Sequence, residues 1–341
     1  MRAVKMKKEN LFDFFEAIKG FGTLWGPVKN GSKFSLEKIN DYSKIDLTAL
    51  RTKIPFKKLI LPPKMSMFSF NEKGVKEDLD NIPNKVIFGI HPCDTHALMI
   101  MDNFHTQTNP DPYYIERRKR TAIIQVSCIP DDKCFCKTTN TDHAETGFDI
   151  SLTELTDFFV MWIGSSLGDD MIRECPEIID EHITHNDLLE YINWRKHRES
   201  SFKLNMDFSG MPSLMELYWD DVLWEELGER CLSCGSCTLV CPTCSCFNVI
   251  DEINLENTKG KRIRQWDSCM FREYSMVAGG HNFREARADR LKLRFTHKLQ
   301  AFVGEFGKPA CVGCGRCIDI CPVDIDIRTV AMRLKGEEVS V

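Results

Sequence analysis

Eight of the 16 cysteines fall into two runs of identical spacing. Each run follows the pattern C-x2-C-x2-C-x3-C-P: Cys231, Cys234, Cys237, Cys241 and Pro242 in the first, and Cys311, Cys314, Cys317, Cys321 and Pro322 in the second. Thiolates at two-residue intervals can wrap a compact metal centre on a tight loop, so this spacing predicts 4Fe-4S ligation. Zinc is the main alternative, but structural zinc sites usually pair two short C-x2-4-C hooks.

The fourth cysteine of each run indicates a crossed arrangement. In two-cluster ferredoxins, three cysteines of one run and the last cysteine of the other hold each cube. Gly235 and Gly315 occupy matching places in the two runs, where a missing side chain permits a positive φ and a close approach of the backbone. We therefore predict two 4Fe-4S clusters, one on Cys231, Cys234, Cys237 and Cys321 and the other on Cys241, Cys311, Cys314 and Cys317.

Four further cysteines are candidates for a third site: Cys93, Cys128, Cys134 and Cys136. The first two each follow a short apolar run, at residues 85–90 and 121–126, that is typical of a buried strand. If those strands are parallel, their carboxyl ends share the edge at which α/β sheets place ligand-binding loops. A third 4Fe-4S cluster is the favoured interpretation; buried free thiols and a zinc or mixed-ligand site are the alternatives.

The remaining cysteines are expected to have supporting roles. Cys244, Cys246 and Cys269 are predicted to line the clusters, with replacement of an assigned ligand by one of them as an alternative, and Cys175 is expected to be structural. His91, close to Cys93, is expected to satisfy a strand-end loop, and we predict no catalytic residue. The chain has no G-x-G-x-x-G and no phosphate loop, so flavin and pyridine nucleotide are expected to bind elsewhere.

Short segments indicate the elements that position these cysteines. Residues 1–225 are predicted to form an α/β domain, with a packing helix through Leu11, Phe14, Phe15 and Ile18, strands at 85–90, 121–126 and 158–164, and helical patterns at 94–103 and 151–157. Residues 226–341 are predicted to form an α-helical two-cluster ferredoxin domain, because the stretch between Cys241 and Cys311 is long and contains a helix-like segment at 283–302. A helix over 212–228, capped by Ser213 and closed by Gly228, is expected to lead into Cys231.

Composition excludes several function classes. The chain has 341 residues, 45 basic and 50 acidic side chains and a formal net charge of −5, and it contains no basic block, so nucleic-acid binding is not expected. Apolar runs such as residues 158–163 are too short for a membrane span, which needs about 20 residues. Because the first residues, MRAVKMKKEN, do not resemble a signal peptide, the many cysteines indicate a reducing cytoplasm.

Motifs along nearly the whole chain resemble a family of iron–sulfur subunits, best known from the beta subunit of cytoplasmic sulfhydrogenases and the corresponding iron–sulfur subunit of anaerobic sulfite reductases. The motifs are HPCD (91–94), SC (127–128), CFC (134–136), GFD (147–149), CPTCSCF (241–247), RQWDSC (264–269), AGGHNFR (278–284) and CVGCGRCIDICP (311–322). The resemblance implies an electron-transfer protein that lies between an FAD- and NAD(P)-binding reductase subunit and the terminal catalytic subunit of a complex. That terminal partner would be a siroheme sulfite reductase or a NiFe hydrogenase.

Two alternatives from other functional classes are open at this stage. The chain could be a self-contained iron–sulfur reductase of a sulfur compound, with an open corner of a cluster or the loop around Cys93 as its substrate site. It could also be a redox-sensing or scaffold protein whose clusters act as switches. The first alternative predicts turnover by the isolated chain, and the second predicts no rapid reoxidation by a partner.

Overall fold

The computed structural model describes residues 2–79, 81–107, 109–204, 206–256 and 258–337. The chain divides into two compact units, neither of which is continuous in sequence. Unit 1 comprises Met1–Leu61 and Asn81–Asn205, and unit 2 comprises Pro62–Asp80 and Met206–Val341. Unit 2 therefore includes a segment from the first quarter of the chain and begins again well before residue 226.

The helices and strands are numbered in chain order. The strands are β1 (Arg2–Lys7), β2 (Thr23–Asn30), β3 (Lys33–Lys38), β4 (Lys64–Asn71), β5 (Gly74–Glu77), β6 (Lys85–Ile90), β7 (Thr121–Val126), β8 (Ile150–Glu154), β9 (Phe158–Ile163), β10 (Ile179–Asp180), β11 (Phe247–Ile253) and β12 (Lys259–Trp266). The α-helices are α1 (Leu11–Ala17), α2 (Lys57–Ile60), α3 (Pro92–Thr106), α4 (Pro112–Lys119), α5 (Ser166–Arg173), α6 (His185–Ser200), α7 (Met211–Leu217), α8 (Leu223–Arg230), α9 (Ser236–Leu239), α10 (Arg287–Thr296), α11 (Phe302–Phe306), α12 (Arg316–Ile320) and α13 (Ile327–Leu334).

Unit 1 is built on an eight-stranded mixed sheet with the strand order β10-β1-β9-β8-β7-β6-β2-β3. Strands β8, β7, β6 and β2 are parallel neighbours, and antiparallel strands flank them on both sides. Every residue of β7 is buried, as expected where both faces of a parallel sheet are covered. The predictions of strands at 85–90 and 121–126 are confirmed, and so is the parallel pairing that gives Cys93 and Cys128 a common edge.

The core of unit 1 joins the first helix to this sheet. Phe14 and Phe15 of α1 are buried, and the Phe15 ring meets the ring of Phe88 in β6 edge to face, with 4.8 Å between centroids. Such a pair adds to the free energy gained by burying apolar area. The first helix is therefore a packing element, as the sequence predicts.

One segment of unit 1 contradicts the sequence analysis. Residues 151–157 have a helix-compatible pattern, but Ile150–Glu154 forms the strand β8 between β7 and β9. Its Ser151 hydroxyl accepts a hydrogen bond from Gln125, and its Thr153 hydroxyl donates one to Ser127. Because these polar groups find partners inside the sheet, alternating serine and threonine are compatible with a buried strand here.

Unit 2 contains a sheet that the sequence analysis did not anticipate. Strands β11, β12, β4 and β5 form a four-stranded antiparallel sheet in that order, so residues 62–80 supply half of its strands. The description of this part of the chain as purely helical is therefore incomplete. A boundary drawn at one residue, such as 226, cannot capture a unit assembled from two separated segments.

The helix expected over 212–228 is two helices, α7 and α8. The Asp221 side chain accepts a hydrogen bond from the Leu223 N–H at 2.8 Å, which favours a new helix start at that point. Gly228 lies inside α8 and does not close it. A Cβ at Gly228 would come within 2.8 Å of the Ala288 backbone nitrogen, so glycine permits close packing of α8 on α10.

The helix-like segment at 283–302 also has a different form. It comprises α10 and a π-helical turn at His297–Ala301, followed by α11. The short helices α9 and α12 of the two ligand runs pack against each other. None of the helices among the described residues is both long enough and apolar enough to cross a membrane.

Candidate metal centres

The two cysteine runs of unit 2 share positive φ angles at two matching positions. Ser233 and Gly313, two residues after the first cysteine of each run, have φ of 51° and 60°. Gly235 and Gly315, two residues later, have φ of 71° and 75°. The expected positive φ at both glycines is therefore confirmed, and a Cβ at Gly235 would lie 2.6 Å from the Phe271 ring.

This conformation turns backbone N–H groups toward the thiols. The Ser233 N–H donates to Cys231 Sγ at 3.3 Å, and the Gly313 N–H makes the corresponding hydrogen bond to Cys311. Hydrogen bonds of this kind stabilise a thiolate and hence suit sulfur that ligates iron. The repeated spacing thus produces a repeated local structure.

The thiols of the first predicted cluster lie together. Burial raises the pKa of Cys237, the charge of Arg294 opposes that rise, and the charges of Cys231, Cys234 and Cys321 add to it. All four of these cysteines also line one pocket, together with Arg294. Cys321, from the second run, is therefore beside the first run.

The thiols of the second predicted cluster show the reciprocal arrangement. Burial raises the pKa of Cys317 to about 12, again against the charge of Arg294, and Cys314 and Cys241 contribute to the rise. Cys311 likewise interacts with Cys317, Cys314 and Cys241. Each set of four thiols thus contains one cysteine from the opposite run, the pattern of two-cluster ferredoxins, while the ligand assignment itself stays a prediction.

In unit 1, three of the four candidate thiols lie within electrostatic range of one another. Burial raises the pKa of Cys134 to about 12, and Cys128 contributes to that rise. Burial also raises the pKa of Cys136, with contributions from Cys128 and Cys134. Cys93 lies in the first turn of α3, and a third cluster on these residues stays a prediction.

His91 links this turn to Cys128. Its Nδ1 is 2.7 Å from the Val126 carbonyl oxygen and its Nε2 is 2.9 Å from the Ala49 carbonyl oxygen, so both nitrogens donate when the ring is protonated. Burial alone would lower the pKa of His91, but the charge and hydrogen bond of Cys128 and the two carbonyls raise it to about 9. The ring hydrogen-bonds backbone carbonyls at the end of a strand and in a loop, consistent with the expected structural role.

Two arginines of unit 1 lie beside the thiols, and both have carboxylate partners. Arg51 donates to Asp131 at 2.6 Å and to Cys134 Sγ at 3.1 Å. Arg198 donates to the Cys128 carbonyl oxygen at 2.8 Å and to an Asp142 carboxylate oxygen at 3.2 Å. The charges of the two arginines are therefore already balanced by acidic side chains, whereas His91 has Cys128 beside it.

Comparison with known proteins identifies the family. Residues 230–325 match the family of 4Fe-4S dicluster domains. The chain is 38% identical over 326 residues to sulfhydrogenase 2 subunit beta of Pyrococcus furiosus, with 96% of each chain covered. The chain belongs to the sulfhydrogenase beta-subunit family. No solved structure matches the chain.

Membership of the sulfhydrogenase beta-subunit family confirms the resemblance drawn from the motifs, and the dicluster match implies 4Fe-4S clusters in unit 2. Among the described residues, no three His, Cys, Asp or Glu side chains are placed to hold a single metal ion.

The remaining cysteines divide into two environments. Cys175 is fully buried in the core of unit 1, where its thiol lies 3.7 Å from the Met171 carbonyl oxygen, as expected for a structural residue. In unit 2, a hydrogen bond from Cys269 lowers the pKa of Cys246 to about 6 against the effect of burial. Cys244 interacts electrostatically with Cys269. Cys244, Cys246 and Cys269 are therefore neighbours in the unit that holds the two runs.

Arg294 and Lys298 were not singled out from the sequence, although both are buried near the thiols of unit 2. Burial would lower the pKa of Lys298, but the charges of Cys241 and Cys244 raise it. The signal available in the sequence was their spacing with Arg287 and Arg290 at intervals of three and four residues, which places them on one side of a helix.

Proposed function

We propose that this protein is the iron–sulfur electron-transfer subunit of a cytoplasmic multi-subunit oxidoreductase. Two 4Fe-4S cubes would be held by the crossed sets Cys231, Cys234, Cys237, Cys321 and Cys241, Cys311, Cys314, Cys317. The cubes supply reversible one-electron transfer, and the chain supplies their ligands, hydrogen bonds and surrounding charge. The arrangement of these eight thiols in two reciprocal groups is the observation that supports this proposal.

The partners follow from the family. A relative named as a beta subunit of a sulfhydrogenase favours a NiFe hydrogenase as the terminal catalytic subunit, with a siroheme sulfite reductase as the other candidate. An FAD- and NAD(P)-binding subunit would exchange electrons with the opposite end of the relay. A reducing cytoplasm suits a chain in which all 16 cysteines lie among the described residues and none forms a disulfide.

Serine variants of one ligand in each run test the relay in the assembled complex. Cys234→Ser and Cys314→Ser should each abolish electron transfer between NAD(P)H and the terminal substrate, while the flavin subunit still reduces artificial dyes. Cys175→Ser, a buried cysteine outside both runs, is the control and should retain transfer. Transfer that survives in both ligand variants would contradict the proposal.

Iron content addresses the third cluster, which we also propose on Cys93, Cys128, Cys134 and Cys136. Because each cube contains four irons, two clusters give about eight irons per chain and three give about twelve. Anaerobically purified full-length protein can be assayed directly. A value near eight, together with electron paramagnetic resonance signals from both predicted clusters of unit 2, would reject the third cluster. It would not contradict the electron-transfer function.

The rival function is a reductase complete in one chain. It predicts that the isolated protein, given only a chemical reductant, turns over sulfite or a disulfide. We expect no turnover until a terminal catalytic subunit is added, because the proposed ligand sets leave every cube with four cysteines. Turnover by the isolated chain would replace the proposed function with this one.

A further inference from the structure

One face of α10 and the π-helical turn after it is strongly basic. Arg287, Arg290, Arg294 and Lys298 follow one another at intervals of three or four residues and therefore lie along one side. The last three are 3%, 5% and 4% exposed, respectively. π-helical turns are rare and are frequently found at functional sites.

Along this face, the side chains at one end contact the first cysteine run, and the side chain at the other end contacts residues next to Cys241 of the second ligand set. Arg287 donates to the Cys231 carbonyl oxygen at 2.8 Å, and Arg290 donates to the Ser233 hydroxyl at 3.0 Å, so both touch the first run. At the other end, Lys298 donates to the Thr243 hydroxyl at 2.7 Å and hydrogen-bonds Cys244.

Arg294 occupies the middle position. It lines the pocket formed by the four thiols of the first set. Its charge also acts on Cys317 and Cys241 of the second set. Arg294 therefore interacts with ligands of both predicted clusters.

The buried cations of this face have no acidic partner in the described part of the chain. No carboxylate there lies within ion-pair distance of Arg290, Arg294 or Lys298, and Arg294 Nε has no hydrogen-bond partner among the same residues. Elsewhere Arg51 and Arg198 are paired with Asp131 and Asp142. Because an uncompensated buried charge is costly, Arg294 needs negative charge from the thiolate-bound clusters, whereas Lys298 also has the thiols of Cys244 and Cys246 beside it.

We propose that Arg294 is a counter-charge shared by both clusters and raises both reduction potentials, whereas Lys298 acts on the second cluster alone. This inference rests on the proposed function, since it needs both clusters. Reduction adds one electron to a cube, and a nearby buried cation stabilises the more negative form more than the less negative one. Arg294 therefore acts as a tuning residue that moves the two potentials together.

An anaerobic redox titration followed by electron paramagnetic resonance tests this in the full-length protein. In Arg294→Gln, we expect the ratio of reduced to oxidised cluster at a fixed potential to fall about tenfold for both clusters, which is about 59 mV each. Arg294→Lys retains the charge and should restore most of the shift. Lys298→Met should shift only the second cluster.

Arg262→Gln is the matched control. It removes one positive charge from unit 2, but Arg262 is exposed and paired with Asp251, so neither potential should move. Iron content is measured first in every variant. Absence of cluster signals from the parent protein would reject the proposed function itself.

With iron retained, unchanged potentials in Arg294→Gln would overturn the inference, and a shift of one cluster alone would overturn the shared role. If Arg294→Gln loses its iron, the reduction potentials of the two clusters in Lys298→Met test the inference instead. A shift of the second cluster alone supports the ordering along the basic face. A shift of neither cluster, or of both, contradicts it.

Discussion

The two units differ in how the positive side chains around their cysteines are balanced. Around Cys134 and Cys128 in unit 1, each neighbouring arginine has an aspartate partner. Around the two runs of unit 2, the buried cations Arg294 and Lys298 have no acidic partner in the described residues. The arginine charges in unit 1 are therefore balanced by aspartates, whereas the buried cations of unit 2 are balanced by sulfur, from the thiols and the clusters that they would bind.

The two units also differ in what holds them together. Unit 1 has an eight-stranded sheet with a continuous apolar core. Unit 2 also buries apolar side chains, such as Trp224 and Phe295 with 6.0 Å between their ring centroids, but its helix α10 presents charge to the thiols. We infer that unit 1 can fold without metal and that unit 2 depends on its clusters.

Removal of iron should give the largest effect. Treatment of the anaerobic protein with a chelator should remove most hydrogen-exchange protection from α8 and α10, because folding and metal binding are coupled where the ligands converge. Strands β6, β7 and β8 should retain their protection. Mass spectrometry of exchanged peptides measures both, and equal loss in the two units would contradict the comparison.

Loss of the candidate ligands in unit 1 should have the next largest effect. The double variant Cys134→Ser and Cys136→Ser should lower the iron content by about four per chain if a third cube is bound there. The electron paramagnetic resonance signals of the two predicted clusters of unit 2 should remain. Cys175→Ser should leave the iron content unchanged, and an unchanged content in the double variant would identify the unit 1 thiols as buried cysteines that hold no iron.

A core substitution in unit 1 should act without affecting metal in unit 2. Phe88→Ala removes a ring that is fully buried and packed on Phe15, so the free energy of unfolding should fall by about 3–5 kcal/mol. Chemical denaturation of the full chain measures the change. Leu167→Ala, at a residue that is 38% exposed, should cost less than about 1 kcal/mol.

Equal destabilisation by Phe88→Ala and Leu167→Ala would argue against a tightly packed core in unit 1. Loss of the ferredoxin signals in Phe88→Ala would show that the clusters of unit 2 depend on the core of unit 1. Either result would weaken the distinction between the two units.

The smallest effect concerns one glycine of a ligand run. Gly235→Ala adds a Cβ at positive φ and brings it 2.6 Å from Phe271, so the first cluster should be released at lower chelator concentration. Gly279→Ala also requires a positive φ, but nothing lies within 4 Å, and it should cost only about 1–2 kcal/mol. Equal chelator sensitivity of the two variants would show that the contact with Phe271 is unimportant.

The sequence was informative where one residue type had one physical explanation. Continuous apolar runs predicted β6 and β7, because a parallel sheet covers both faces of its strands. The matching glycines predicted the positive φ at Gly235 and Gly315. The repeated cysteine spacing also predicted two crossed ligand sets; the thiols of each set are neighbours, and the ligand assignment stays a prediction.

The sequence was less informative where contacts distant in the chain decide the structure. Gly228 resembles a helix end, but it serves close packing on Ala288. The pairing of β4 with β12 and the approach of Arg294 to both thiol groups also join distant segments. None of these follows from local periodicity, because the partner that determines each residue's environment is far away in sequence.

The strand pair β4–β5 has a consequence for how the protein can be divided. A fragment that begins at residue 206 would retain both cysteine runs but would lack the strands that pair with β12. Its β12 would present unpaired backbone N–H and C=O groups at a sheet edge, where chains associate. Production of the cysteine-rich half alone would therefore require residues 62–80 to be supplied, for example grafted through a linker.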